Sequence, residues 1–206
     1  MSLYTLFHPP LFQGRDEKKN YFEGWYFKMA KQDEVIALIP GIAMGKDRHS
    51  FIQVISSKEG RSWYVRFPYE AFKAEKKEFS VTIGNNHFSI DGIRVDLEFE
   101  DLRLKAEVQN HKPTPFPVTV ASPGIMGWFA YIPFMECFHG VVSTHHSLQG
   151  SVELNGRATD YTGGTGYIEK DWGASFPSAW IWMQPTASPP RGSPACSLWL
   201  RFPSWA

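Results

Sequence analysis

Three carboxyl side chains sit among large aromatic residues: Glu23 between Phe22 and Gly24-Trp25, and Glu169 and Asp171 on either side of Lys170, just before Trp172. A carboxyl desolvated against aromatic walls keeps its proton near neutral pH and can act as a general acid. The same residues also fit plain scaffolding, with Glu23 paired to Lys28 and Asp171 to Lys170. Among His139, His145 and His146, a neutral or protonatable histidine facing a cavity is the expected reading. Glu136, His139, His145 and His146 resemble a metal set, since imidazole and carboxylate suit zinc or iron. Their spacing matches no helical ligand pair, and adjacent His145 and His146 on a strand point to opposite faces, so no metal is expected.

Other chemistries find no support. Gly163-Gly164-Thr165-Gly166 is followed by strand-like Tyr167-Ile168, whereas a phosphate cradle needs a helix directly after its glycines. There is no Gly-x-Ser-x-Gly elbow, and neither Cys137 nor Cys196 has a catalytic setting.

The elements that must position these groups read as strands. Val35-Ile36-Ala37-Leu38-Ile39 stops at Pro40-Gly41 and is a buried strand. Ser50–Ile55 and Trp63–Phe67 flank a polar turn, and Phe79–Ile83 and His87–Ile90 flank Gly84-Asn85-Asn86, which predicts two hairpins. Apolar residues sit at odd positions 95, 97 and 99 and then at even positions 102 to 108, so the chain turns at Glu100-Asp101. Ser147 to Leu154 leads into Asn155-Gly156, a third hairpin. Tyr69 to Lys77 is predicted as the single short helix.

Four prolines between His111 and Pro123 mark an extended connector. The organisation expected is an all-β chain: an N-terminal barrel-like half over 1–112, a connector over 113–124, and a second half over 125–206. Tyr21-Phe22-Glu23-Gly24-Trp25 and Tyr167-Ile168-Glu169-Lys170-Asp171-Trp172 echo one another, as if each opened its own barrel. The stretch 185–206 departs from this pattern, with five of the 15 prolines and no acidic residue, and is read as an atypical tail after which the second half is incomplete, the reading frame being lost near Gln184.

Composition narrows the partners. The 206 residues carry 21 basic and 21 acidic side chains, so no net field draws in nucleic acid. No apolar run reaches the roughly 18 residues of a membrane span, and two cysteines make no disulfide framework. With no leader pattern after Met1, the compartment expected is the cytoplasm, with peripheral membrane contact allowed for lipid access. The 16% aromatic content, 16 Phe, 8 Tyr and 8 Trp, suits a β shell around a greasy ligand.

Four blocks then carry a family resemblance. Glu23–Lys28, His49–Val54, Pro133–Val141 and Gly166–Gly173, the last with Ser175-Phe176-Pro177 and Trp180-Ile181-Trp182, resemble the tocopherol cyclase family and fall in its order. The resemblance implies a lipocalin-like (calycin-like) β-barrel in two barrel-like halves. It also implies an isomerase that needs no cofactor and closes a prenylated hydroquinone to a chromanol, by adding the phenol oxygen to the nearest prenyl double bond. Such chemistry asks for an acid, aromatic faces to steady a tertiary cation, and a base. Placed on the family blocks, Glu169 or Asp171, then Glu23, are the acid; His139 or His146 is the acceptor; Trp25, Tyr26, Trp172, Trp180 and Trp182 are the wall of the substrate site. The partner expected is a small apolar aromatic-isoprenoid molecule. A non-catalytic carrier of apolar isoprenoids, or an isoprenoid hydratase or lyase, is the competing reading.

Overall fold

A computed structural model describes residues 3–14, 20–132 and 134–175. Strands β1 (Phe22–Lys31), β2 (Glu34–Ala43), β3 (His49–Ser56) and β4 (Arg61–Pro68) form one antiparallel meander. A second meander holds β5 (Phe72–Ala74), β6 (Ser80–Ile83), β7 (Asn86–Ser89), β8 (Gly92–Phe99), β9 (Leu102–Thr114) and β10 (Cys137–Leu154). β11 (Arg157–Asp160) folds back on β10, and β12 (Thr165–Gly173) lies between β10 and β1.

The strand order β4-β3-β2-β1-β12-β10-β9-β8-β7-β6-β5 puts β4 and β5 at the two edges. These are consecutive in the chain, joined by the 3-10 turn Tyr69–Ala71, so the sheet curls into a nearly closed eleven-strand barrel. This is the all-β barrel architecture expected. The three hairpins and the turn at Glu100-Asp101 all form.

Two expectations are corrected. The helix over 69–77 is one 3-10 turn followed by β5, because Phe72 stacks on Trp25 and packs at a tilt on Phe12, which draws the chain into an extended path. The stretches before and after the proline-rich connector also share one sheet. β9 runs through to Thr114 and pairs with β10 across the loop, while β12 pairs with both β1 and β10. Left alone, the segment up to 112 would expose the long edge of β1, and β12 covers it. The echoed segments therefore pair with each other, Glu23 opposite Trp172 and Tyr26 opposite Glu169.

β8 and β9 alternate buried and exposed residues, as strands with one face in water do. β1, β2, β3 and β12 are buried on both faces over most of their length. Inside, Trp25 stacks on Phe72 and Phe79, and Phe27 packs on Phe79 and Phe88. The aromatic excess thus fills the core it was expected to line.

One glycine tests the register of β9 and β10. Gly150 has φ of 129° and a Cβ there would collide with the carbonyl oxygen of Glu107 across the pair. Gly60, in the β3–β4 turn, has φ of 59° and open space around it. Chemical denaturation should show Gly150→Ala losing about 2–3 kcal/mol and Gly60→Ala about 1 kcal/mol or less. Equal losses would mean that only backbone conformation, and not the close approach, matters.

Candidate functional site

Alternation along β1 and β12 divides the predicted residues between two faces. Trp25, Phe27 and Ile168 face the core, with Glu23, Lys170 and Trp172 in the same phase. Tyr26, Tyr167, Glu169 and Asp171 are in the opposite phase and face the barrel's flank.

At the core end, Glu23 and Lys170 are both fully buried and meet at 2.6 Å. The carboxylate of Glu23 accepts from the backbone N–H of Gln13 at 2.9 Å and of Gly14 at 2.9 Å, and from the Tyr21 hydroxyl. Burial, reinforced by the Glu23 charge, pushes the Tyr21 phenol far up and keeps it a donor. The Lys170 ammonium donates to the carbonyls of Pro9 and Leu11 and sits 5.0 Å from the Trp25 ring and 4.6 Å from the Trp172 ring. Trp25 Nε1 donates to Pro10 O at 2.9 Å. Glu23, Trp25 and Trp172 therefore hold the segment 9–14 across the barrel end, which is a structural task. The expected partners Lys28 for Glu23 and Lys170 for Asp171 are replaced by one pair, Glu23 with Lys170.

On the flank, β12 and β10 bring the remaining acids and one histidine together. His139 stands opposite Asp171 in the pairing, and its Nδ1 lies 2.8 Å from Asp171 Oδ1. Its Nε2 is 3.7 Å from Glu169 Oε2, which also accepts from the Tyr167 hydroxyl at 2.7 Å. Burial acts to lower the His139 pKa, but the hydrogen bond and charge of Asp171, with the charge of Glu169, outweigh it and hold the imidazole above its ordinary value. The phenols of Tyr26 and Tyr167 are pushed up by burial and by Glu169, and so remain neutral hydroxyl donors. Cys137, at the start of β10, is likewise pushed up by burial and by Asp171, which makes it a poor nucleophile. Glu169 is buried, while His139 and Asp171 each keep 29% of the side chain open to solvent. The arrangement sets a phenol, a carboxyl, an imidazole and a second carboxyl in a row with one accessible end.

His146 lies elsewhere. Two irregularities in β10, between Val141 and His146, turn it onto Gly166, where an added Cβ would strike its ring. Its Nδ1 is 3.0 Å from Ser143 Oγ, and burial with neighbouring His145 lowers its pKa to about 4. It stays neutral and does not meet the acids. No metal-ligating cluster occurs among the described residues. Trp180 and Trp182 lie outside them. Sequence reading missed Tyr167 and Tyr21, although each stands two residues before a glutamate and so on the same face of its strand.

A nearly closed antiparallel β-barrel with an acid–histidine–tyrosine chain on one flank is what fold and site define. Residues 116–193, which supply β10 to β12, match the sequence profile of the tocopherol cyclase-like family. The chain is 36% identical over 72 residues to a probable chloroplastic tocopherol cyclase of Oryza sativa subsp. japonica, covering 32% of this chain and 14% of that protein. It is 33% identical over 58 residues to the chloroplastic tocopherol cyclase of Zea mays, covering 28% and 12%. The profile match takes in the last two of the four sequence blocks, and the aligned stretches span about one seventh or less of the length of those plant proteins. Among solved structures, CghA with Sch210972 superposes with a TM-score of 0.44 at 9% identity over 75% of this chain and 46% of that one, and CghA alone with 0.47. Both plant relatives are chloroplastic, and no helix among the described residues is long and apolar enough to cross a membrane.

Breaking the buried pair separates scaffold from site. Lys170→Met should destabilise the fold by about 3–5 kcal/mol in chemical denaturation, since it leaves Glu23 charged and uncompensated, while Glu23→Gln with Lys170→Met should recover part of that. A harmless single substitution would overturn the structural assignment. The lowered pKa of His146 has a pH signature: the unfolded imidazole takes a proton near 6.5 and the folded one only near 4, so stability falls as pH drops through that window. An NMR titration should place its midpoint near 4, and a midpoint near 6.5 would refute the burial argument.

Proposed function

We propose that this chain carries the acid–base centre of an intramolecular cyclase, closing a prenylated hydroquinone to a chromanol. The observation that supports the reading is the contact chain Tyr167–Glu169–His139–Asp171, built on strands that lie inside the tocopherol cyclase-like segment. The reaction is an isomerisation. One proton goes to the alkene carbon nearer the aromatic ring, the phenol oxygen bonds the tertiary carbon left positive, and the phenol proton leaves. Acid and base must therefore exchange one proton per turnover, which a carboxyl and an imidazole in contact can do.

Glu169 is the donor in this reading, because it is buried and touches both Tyr167 and His139. His139, oriented through Nδ1 by Asp171, takes the phenol proton and returns it to Glu169 across the 3.7 Å gap. The faces of Tyr26 and Tyr167 steady the cation. Glu23, His146, Trp25 and Trp172 drop out of the chemistry because each is committed to the core.

Glu169→Gln should lower turnover of a prenyl hydroquinone by about 10²–10⁴-fold with binding retained, read as loss of a product of unchanged mass that no longer oxidises to a quinone. The reactive form needs His139 neutral and Glu169 protonated, so the rate should follow a bell in pH whose rising limb reports His139 above the ordinary histidine value, and Asp171→Asn should move that limb down. Recovery of bound, unreacted substrate from the unaltered protein would overturn the proposal in favour of a carrier of apolar isoprenoids.

A further inference from the structure

From Pro113 to Met135 the sequence runs 23 residues without an acidic, basic or histidine side chain, in a chain where such residues make up 21, 21 and 7 of 206. A loop between β9 and β10 of that composition would ordinarily be buried. Here it is not. Trp128 is 61% exposed and Phe134 84%, and Val120, Ile125, Phe129 and Tyr131 are exposed beside them. The rings of Trp128 and Phe129 stack at 4.1 Å on the 3-10 turn Gly127–Tyr131.

We propose that this loop is a membrane-docking surface that inserts its aromatic side chains into the headgroup and acyl boundary of a lipid bilayer. Two features favour lipid over a protein partner. The polar groups of the loop bond to one another: Thr119 N and Ser122 N exchange bonds with each other's carbonyls, Gly127 N reaches Gly124 O, Phe129 N reaches Met126 O, and Ile132 N reaches Phe129 O. Ser122 Oγ donates to Gly124 O and the Tyr131 hydroxyl to Val120 O. Among the described residues, six backbone N–H groups of the loop are met by carbonyls inside it, which lowers the cost of entering an apolar medium. A protein partner would also be held in register by polar or charged contacts at the rim, whereas Trp, Tyr and Phe without charge suit the bilayer interface. At the foot of the loop, Pro115 joins His8, Lys77 and Glu78 in the lining of a cleft of about 280 Å³.

The test uses the whole chain and no substrate, so its outcome is independent of the cyclase reading. Sedimentation with phosphatidylcholine vesicles, and with vesicles containing phosphatidylglycerol, should pellet the protein in both cases, and 1 M salt should leave at least half of it bound. Trp128→Ser with Phe129→Ser and Phe134→Ser should weaken partitioning at least tenfold with an unchanged melting temperature. Phe134→Ser alone, at the most exposed position, should weaken it about threefold and serves if the triple variant fails to fold. Absence of binding to either vesicle, equal binding by the variants, or binding abolished by salt would overturn the proposal. So would a dimer that the substitutions dissociate in place of vesicle binding.

Discussion

The contact between Glu23 and Lys170 fixes both ends of the chain's logic, because a buried ion pair is tolerated only when its remaining hydrogen-bonding capacity is met. Here the segment 9–14 meets it from both sides, offering N–H groups of Gln13 and Gly14 to the carboxylate and carbonyls of Pro9 and Leu11 to the ammonium. The pair requires the segment, which is also anchored by Trp25 Nε1 on Pro10 O and by Phe12 in the aromatic core. Glu23 lies on β1 and Lys170 on β12, so the pair also spans the seam where the last strand enters between the first and the tenth. Closure of the barrel and coverage of its end are one event.

That seam sets the site. A strand that commits Lys170 and Trp172 to the core must present Glu169 and Asp171 on its other face. β10, paired to the same strand, sets His139 opposite Asp171 by register alone. The two glutamates then have unlike fates. Glu23 is saturated by fixed donors and a cation, while Glu169 meets a phenol and an imidazole, partners that can give or accept a proton. Environment, and not residue type, separates scaffold from chemistry.

Much of the barrel was legible in the sequence. Period-two alternation at 95–108, the hairpin at Asn155-Gly156 and the buried run at 35–39 carry their own warrant, since each depends on neighbours in the chain. The helix over 69–77 misled because Phe72 answers to Phe12 and Trp25, residues far away in sequence. The two echoed segments were visible, yet their relation was not: pairing between residues 21–25 and 167–172 is a long-range choice that local pattern leaves open. The phase difference was readable and went unused. Trp25 follows Glu23 by two residues and shares its face, whereas Trp172 follows Glu169 by three and must oppose it. The same parity separates Asp171 from Lys170, which excludes the pair first expected. His146 needed the irregularities in β10, which no side-chain pattern announces.

The aromatic content carries a last consequence. Phe12, Trp25, Phe27, Phe72, Phe79 and Phe88 contact one another in a continuous stack inside the barrel. Rings committed to packing at this density give up contacts with every neighbour if a bulky guest displaces them. The proposed chemistry therefore belongs on the flank of β1, β10 and β12, where the titratable chain stands and where the barrel need not open. Tyr26 lies on that flank opposite Glu169, with Gly24 two residues before it opposite Asp171. A Cβ at Gly24 would already meet Ile39, Pro40 and Phe51 at 3.4–3.8 Å, so that part of the flank is packed, and a substrate of the proposed chemistry has to approach from the open side of His139 and Asp171.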